Sequence, residues 1–593
     1  MLRRTLVLAV MLIASAFGSE ANAGDASDAK VLQLNDKIFY EGRWVTAEYK
    51  EKSEQGLVLY KGTWMPEADM YQAKGYVKHL GTWISPARLK SIQLRQEQAR
   101  ERIKFASDWK NAWKYKTTQG HFIITSNVSP ELVQEIGTAM EQCYMELSQV
   151  FGVKTAAKNI NVEVYATQQQ FMKHSAEKQI PVGDTTLGYF YWGSDVGIRA
   201  FYAGSPEQTL STLFHECTHL VIRQVCGEIP TWANEGLAVF FESARRDEKG
   251  MHLQTIPFNR LWSLKTMMER GEISLTHLCQ LQGMQQYTGQ YYPQGWSLIY
   301  FLLYSDNGKY RRSFEEFYNN LAGGKYDGNS VAFFTRHFGK EPDDLRHKWR
   351  EFIVSLEPKT TEELVAAATA AYTDYIDFTS AQNFATKALQ QMKGSDESVL
   401  LCNARLHLTL GRWVSEPERK AMHYAKSVEF FQQVFPEAEP GKRVVKPRKV
   451  TSAFARDRLD YARACVGAVD YERAQDLIEE VLSRKEFEFS AAGYSVMAYL
   501  AVMAKDPAFH SLALAKEYAA LADDLGADQE IAYVKAQIAL AENRPADAIK
   551  LLNEAASRDE FGFGGLFYRR EMARLTGEAR RSHEESKPPN GGK

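Results

Sequence analysis

The chain has 593 residues, of which 45% are hydrophobic and 25% charged, a balance typical of globular proteins that excludes a largely disordered, collagen-like or low-complexity chain. It is too long for one hydrophobic core, so about three or four domains are expected. Lys plus Arg number 72 against 74 for Asp plus Glu, and the net charge of -2 gives no electrostatic footprint for nucleic acid or an anionic membrane surface.

Residues 1–23 read as a signal peptide. Arg3 and Arg4 precede an apolar run from Leu6 to Phe17, and Ala21-Asn22-Ala23 offers the small-x-small pattern of a cleavage site. The run is short for a spanning helix, no Cys follows it to accept lipid, and no later stretch reaches the roughly 18 apolar residues of a membrane span. The expectation is an exported protein, periplasmic or extracellular, with no membrane span. Residues 24–106 then carry an internal echo: Gly42-Arg43-Trp44-Val45, Gly62-Thr63-Trp64-Met65 and Gly81-Thr82-Trp83-Ile84. Short strands and turns around each unit predict a small Trp-rich β module. Its Trp faces suit contact with a cell-wall polymer, or each Trp is the core of its own hairpin. From Ser91 to Lys116 a charged stretch reads as a linking helix.

Residues 107–357 show a mixed α+β pattern. His121 to Thr125 and Ile160 to Tyr165 read as strands, and Ser129-Pro130-Glu131 as a helix start. Gly197 to Tyr202 reads as one more strand, either a sheet edge along which an extended peptide pairs or an ordinary core strand. Ser205-Pro206-Glu207 then opens a helix that runs to about Gln224. It carries His215-Glu216-Cys217-Thr218-His219, an H-E-x-x-H motif whose two imidazoles, four residues apart, share one helix face and can bind one metal ion. Two nitrogens and an open position suit zinc, which needs a third protein ligand. Trp232-Ala233-Asn234-Glu235-Gly236-Leu237-Ala238 supplies one in Glu235, 16 residues after His219, on a second helix set off by the turn Cys226 to Pro230. Gly236 permits close packing there, and Glu242 and His277 are the alternative ligands. The six cysteines are too scattered for a disulfide framework. Cys217 and Cys226 can pair only if the first helix ends between them.

The paired motifs resemble those of the gluzincin metallopeptidases, H-E-x-x-H on one helix and N-E-G-L-A on the next, with the nearest likeness to the peptidase-like domain of uncharacterised secreted bacterial proteins. The resemblance covers roughly Asp108 to Glu357. It implies a zincin-like fold in which His215, His219 and Glu235 hold Zn2+ and Glu216 is the general base for hydrolysis of a peptide or protein substrate. It also implies an oxyanion donor beyond the third ligand, for which Tyr292, in Tyr291-Tyr292-Pro293-Gln294, stands in the expected position.

Residues 358–593 turn to Ala, Leu, Glu and Lys at helical spacing. Ala462, Cys465, Gly467, Ala474, Leu477 and Ile478 recur 74 residues later as Ala536, Ala539, Ala541, Ala548, Leu551 and Leu552, near two periods of a 34-residue helical hairpin, with Ala513, Ala515, Tyr518 and Ala519 between them. This resembles divergent tetratricopeptide repeats beginning near Ala381, which implies a concave array for a protein partner; a helical domain packed on its neighbour is the alternative. The chain is thus expected to be multidomain: a β module, an α+β zincin-like peptidase domain and an all-α tetratricopeptide-like repeat domain. The leading expectation is an exported zinc peptidase. Its rival is a non-catalytic zinc-binding scaffold that recruits partners through the repeats.

Overall fold

The computed structural model describes residues 37–585, apart from 41–42, 80–81, 107, 129, 184–185, 194, 203–205, 248–249, 253–254, 437–451, 485–489, 526–528 and 559–562. The signal-peptide reading of residues 1–23 lies outside the described residues. Among these, no helix is long and apolar enough to cross a membrane. The chain divides into two compact units, one ending at Lys78 but including Trp83–Pro86, the other formed by His79–Thr82 and everything from Ala87 onward.

In the first unit a hairpin and a helix alternate: β1 (Lys37–Tyr40) and β2 (Arg43–Thr46) lead to α1 (Ala47–Glu54), and β3 (Leu57–Tyr60) and β4 (Thr63–Pro66) to α2 (Glu67–Ala73). A third hairpin, β5 (Val77–His79) with β6 (Thr82–Ile84), precedes α3 (Pro86–Ala106). Each hairpin is a separate two-stranded sheet. Lys61 and Gly62, at φ 49° and 84°, make the two-residue turn of the second, a conformation whose positive φ values match the twist of the flanking strands. Two of the three Trp rings have their packing partners in this unit. Trp64 meets Tyr49 of α1 edge-on, ring centroids 5.2 Å apart, and Trp83 stacks on Tyr71 of α2 at 5.9 Å. Each ring therefore joins its hairpin to the preceding helix.

The helix expected through Lys116 ends at Ala106, and β7 (Trp113–Lys116) begins a five-stranded sheet. Its other strands are β8 (Phe122–Ser126), β9 (Ile160–Tyr165), β10 (Gly188–Trp192) and β11 (Val196–Phe201), with helix α4 (Pro130–Phe151) following β8 and α5 (Gln168–Glu177) following β9. The order is β10-β11-β9-β8-β7, antiparallel at both ends and parallel within. Strand alternation separates two faces. Phe122, Ile124, Val162, Val164, Ile198 and Ala200 are buried in the core with α4, while Phe171 of α5 meets Tyr165, Tyr189 and Phe201 on the other face. The Gly197 to Tyr202 strand is thus internal, paired on both sides, and the edge belongs to β10, whose unbroken aromatic run hides the alternation that marks a strand.

Helix α6 (Pro206–Cys226) buries Leu213, Phe214, Cys217, Leu220 and Val221 under that sheet. It ends at Gly227, φ 71°, the left-handed conformation that only glycine adopts cheaply. Pro230 then sets the start of α7 (Thr231–Glu242). Because α6 continues through Cys226, Cys217 and Cys226 sit on one helix and do not pair; all six cysteines are free and buried. Cys217 lies instead against Cys143 of α4. Beyond α7 come α8 (Phe258–Arg270), α9 (Leu275–Gln280), α10 (Tyr291–Tyr304), α11 (Arg311–Ala322), α12 (Ser330–Phe338) and α13 (Arg346–Val354).

The all-helical region follows without a break in the core: Ala367 and Ala370 of α14 (Thr361–Ala370) belong to the same buried cluster as α6 and α7. After a π-turn at Ala371–Tyr375 come α15 (Phe378–Gln391), α16 (Glu397–Trp413), α17 (Pro417–Val434), α18 (Ser452–Gly467), α19 (Tyr471–Leu482), α20 (Ala491–Met503), α21 (Leu512–Asp524), α22 (Gln529–Ala541), α23 (Pro545–Arg558) and α24 (Phe563–Glu585). They pack as the pairs α16/α17, α18/α19, α20/α21 and α22/α23. The recurring Ala and Leu positions fall on α18/α19 and α22/α23, as the period predicts.

The inner helices meet one another. Arg412 of α16 and Arg463 of α18 both pair with Glu530 of α22, the latter at 3.0 Å. Arg463 and Arg405 share Asp460 at 2.9 and 2.8 Å, and Arg405 also pairs with Asp457. Phe567 of α24 lies against the Arg412 guanidinium at 4.9 Å, and Arg570 lies over Trp413 at 4.7 Å. The first pair thus reaches the fourth and the final helix through these side chains. Burial opposes the charge on Glu530, but Arg412 and Arg463 hold its carboxyl down at about 2. A carboxyl depressed below its unfolded value stabilises the fold above that value, and the contribution is lost as pH falls through the folded one. Urea unfolding followed by circular dichroism should therefore show stability falling from about pH 4.5 towards pH 2. Glu530→Gln should cost about 3 kcal/mol at neutral pH, since it removes the negative charge that faces two buried guanidiniums, and should flatten that acid limb.

Candidate metal centre

Helices α6 and α7 bring His215, His219 and Glu235 together, with one ligand atom from each lying within 4.8 Å of the others. Glu235 Oε2 stands 3.4 Å from His215 Nε2 and 3.5 Å from His219 Nε2. Its other oxygen, Oε1, accepts a hydrogen bond from Asn234 Nδ2 at 3.3 Å. Oε2 is buried and has no hydrogen-bond partner among the described residues. A buried carboxylate oxygen without a donor is costly, and a cation between it and the two imidazoles removes that cost. The donor set of two nitrogens and one carboxylate suits zinc.

The crossing of α7 with α10 fixes Glu235. A Cβ on Gly236 would stand 2.7 Å from the Gly295 carbonyl oxygen, and one on Gly295 would stand 2.2 Å from the Tyr287 hydroxyl. Only two glycines let the backbones approach so closely, which is the role the sequence assigns to Gly236. Tyr287 also donates to the Tyr291 carbonyl at 2.8 Å, tying down the start of α10.

Glu242, weighed as a ligand, takes a different place. Seven residues after Glu235 and on the same face of α7, its Oε2 accepts from His215 Nδ1 at 3.0 Å. Its Oε1 accepts from Arg260 Nε of α8 at 3.1 Å, with Arg260 Nη2 at 3.0 Å. A carboxylate only accepts, so Nδ1 carries a proton and Nε2 is the nitrogen that faces the cluster. This carboxylate–imidazole relay orients metal-binding histidines and raises their basicity. The spacing of seven was the available sequence signal for Glu242, whereas Arg260 becomes its partner only through the tertiary fold. His277 is outside the cluster, exposed on α9 with Nε2 3.2 Å from the Tyr291 hydroxyl.

Electrostatics follow the geometry. Burial disfavours charge on His215, but Glu235, Glu242 and Glu216 outweigh it and raise the imidazole to about 10. His219 is likewise raised against burial, chiefly by Glu235. Glu235 falls well below the usual carboxylate range despite its burial, because both imidazoles face it. Glu216 is 8% exposed and makes no hydrogen bond among the described residues. The Tyr292 ring lies 6.1 Å from that of His215 and edge-on to Tyr287 at 5.3 Å. Burial first, then the charges of Glu235 and Glu216, pushes its hydroxyl well above the ordinary phenol value, so it stays protonated and able to donate. Of the five sequence-predicted residues, the structure brings His215, His219 and Glu235 together and sets the Tyr292 ring beside that of His215, while Glu216 adjoins His215 on α6.

Gly236→Ala should destabilise the chain by about 1–3 kcal/mol, the range for overpacking, and should weaken zinc binding because Glu235 moves with α7. Denaturant unfolding and a chelator-competition titration check the two effects; a variant equal to the parent in both would show that the crossing has slack.

The pattern of one family, described as a protein of unknown function (DUF1570), matches residues 209–322, a stretch that contains all five of these residues. No curated protein matches the chain at the level that marks a relative.

Proposed function

We propose that this chain is an exported zinc-dependent peptidase of the gluzincin type. The observation that carries the reading is the buried, donorless Glu235 Oε2 facing the Nε2 atoms of two histidines from an H-E-x-x-H helix. His215, His219 and Glu235 would hold the ion. Zinc, when bound, supplies Lewis acidity that polarises a substrate carbonyl and brings the pKa of water towards neutrality.

The other roles belong to the chain. Glu216, next to His215 on the same helix and without a hydrogen-bonded partner of its own, accepts the proton of the attacking water. It then passes that proton to the leaving amine as the C–N bond breaks. The Tyr292 hydroxyl, held protonated, donates to the oxygen on which negative charge develops. The free edge of β10, unpaired among the described residues, suits an extended peptide, which pairs with a strand through its own backbone. Gly188 on this strand lies against Thr212 of α6, where a Cβ would come within 2.8 Å of the threonine methyl, so the edge runs beside the helix that carries His215. The helical pairs support the tetratricopeptide-like reading of the C-terminal region.

Residues 24–593, expressed and purified, should carry about one zinc per chain by elemental analysis and cleave members of an unbiased peptide library in a chelator-sensitive way. Glu216→Gln should keep the metal and lose at least about 100-fold in rate, the lower range for removal of a general base. A Gln variant as active as the parent removes the role given to Glu216. Zinc with no cleavage of any peptide favours the non-catalytic scaffold instead.

A further inference from the structure

The C-terminal helical region touches the protein exactly where the support of the metal centre begins. Helix α8 carries Arg260, the guanidinium that holds Glu242, which in turn orients His215. The carbonyl of Asn259, the preceding residue, accepts a hydrogen bond from the hydroxyl of Tyr375. One turn further along α8, Trp262 meets the Tyr375 ring at 5.6 Å and the Phe384 ring of α15 at 5.8 Å. Lys265 Nζ donates to the Leu356 carbonyl, just ahead of α14, at 2.9 Å. The N-terminal half of α8 is therefore clamped by the first elements of the helical array.

The backbone at this contact is unusual. Ala371–Tyr375 is a π-turn, a form that occurs mostly as single turns and often at functional positions. It closes at Ile376, φ 57°, a left-handed conformation that is a true outlier for a β-branched residue. An ordinary α-helical continuation of α14 would rotate Tyr375 away from Asn259. The strain is retained where the array grips α8.

We propose that the helical array is a structural part of the metal centre, with Tyr375 and Arg260 as positioning residues: Tyr375 fixes the start of α8, Arg260 on that helix fixes Glu242, and Glu242 fixes His215. Arg260 also stands 5.8 Å from the ring of Tyr292, so one guanidinium sets both the ligand's orienting carboxylate and the neighbouring aromatic donor. The proposal rests on the reading that His215, His219 and Glu235 hold a metal, and it assigns the array a task that needs no external partner.

The test measures zinc affinity of the full-length chain by competition with a chromophoric chelator, together with the visible spectrum of the cobalt-substituted protein. Arg260→Gln should weaken zinc binding about 10- to 100-fold, the usual effect of losing an outer partner of a ligand, and Arg260→Lys should recover part of the loss. Tyr375→Phe, which removes one hydroxyl and keeps the ring, should weaken zinc binding about 2- to 10-fold, as the loss of one hydrogen bond allows, and should shift the cobalt absorption bands. Tyr471→Phe, on α19, where the hydroxyl accepts a hydrogen bond from the Lys505 backbone at 3.1 Å, should leave both readouts unchanged. Unchanged affinity and cobalt spectrum in Tyr375→Phe, with zinc bound normally by the parent, would overturn the coupling while leaving the metal reading intact. A parent chain that binds no zinc would overturn the metal reading itself, and the coupling with it.

Discussion

A buried carboxylate oxygen that no protein donor reaches is the constraint around which the central region is organised. Glu235 Oε2 faces two imidazole nitrogens at 3.4 and 3.5 Å, and without a positive charge between them the arrangement is a cost that folding must carry. Protons on the histidines relieve it in part, which is why His215 rises to about 10 against its burial. A divalent ion competes with those protons for the same lone pairs. The surrounding features all act on the three side chains: the left-handed Gly227 that turns α6 back, Pro230 that starts α7, and the close crossing of Gly236 with Gly295.

That core of the site was legible from the sequence because each part is local. Residues four apart on a helix share a face whatever the fold, and a Glu on the next helix, behind a Gly and Pro turn, has few other places to go. What was not legible is tertiary. Arg260 lies 18 residues from Glu242, in a helix with no motif, and only the packing of α8 brings it there. The edge strand was missed for a different reason. Gly188-Tyr189-Phe190-Tyr191-Trp192 has aromatic residues on both faces, since Tyr189 and Tyr191 flank Arg199 while Phe190 packs against the other core. A strand covered on both sides loses the period-two signal by which strands are read.

In the helical region the period was legible and its consequence was not. Ala and Leu at recurring positions specify helix pairs, and the pairs formed. How the pairs sit on one another depends on what joins them, and here Arg405, Arg412 and Arg463 pair with Asp457, Asp460 and Glu530. Those ion pairs link α16, α18 and α22, and Phe567 and Arg570 of α24 pack on Arg412 and Trp413 beside them. Such a network is worth little as net stability, yet it penalises any arrangement that separates its members. It therefore specifies one packing of these helices, where apolar contacts alone would tolerate several.

The π-turn at Ala371–Tyr375 and the left-handed Ile376 are strained, and strain of this kind persists only where the surroundings over-determine it. Here α14 is locked into the core of the metal centre on one side and α15 into the array on the other, so the turn between them has no freedom to relax. A ligand imidazole tolerates little misorientation before its lone pair leaves the metal, and the demands on Glu242 and Arg260 are correspondingly strict. Anchoring α8 to the helical region meets that demand with residues more than 100 positions away in the sequence. By linkage, whatever energy the array lends to the orientation of His215 would be returned on binding of a metal, and on the proposed reading metal and array would stabilise each other.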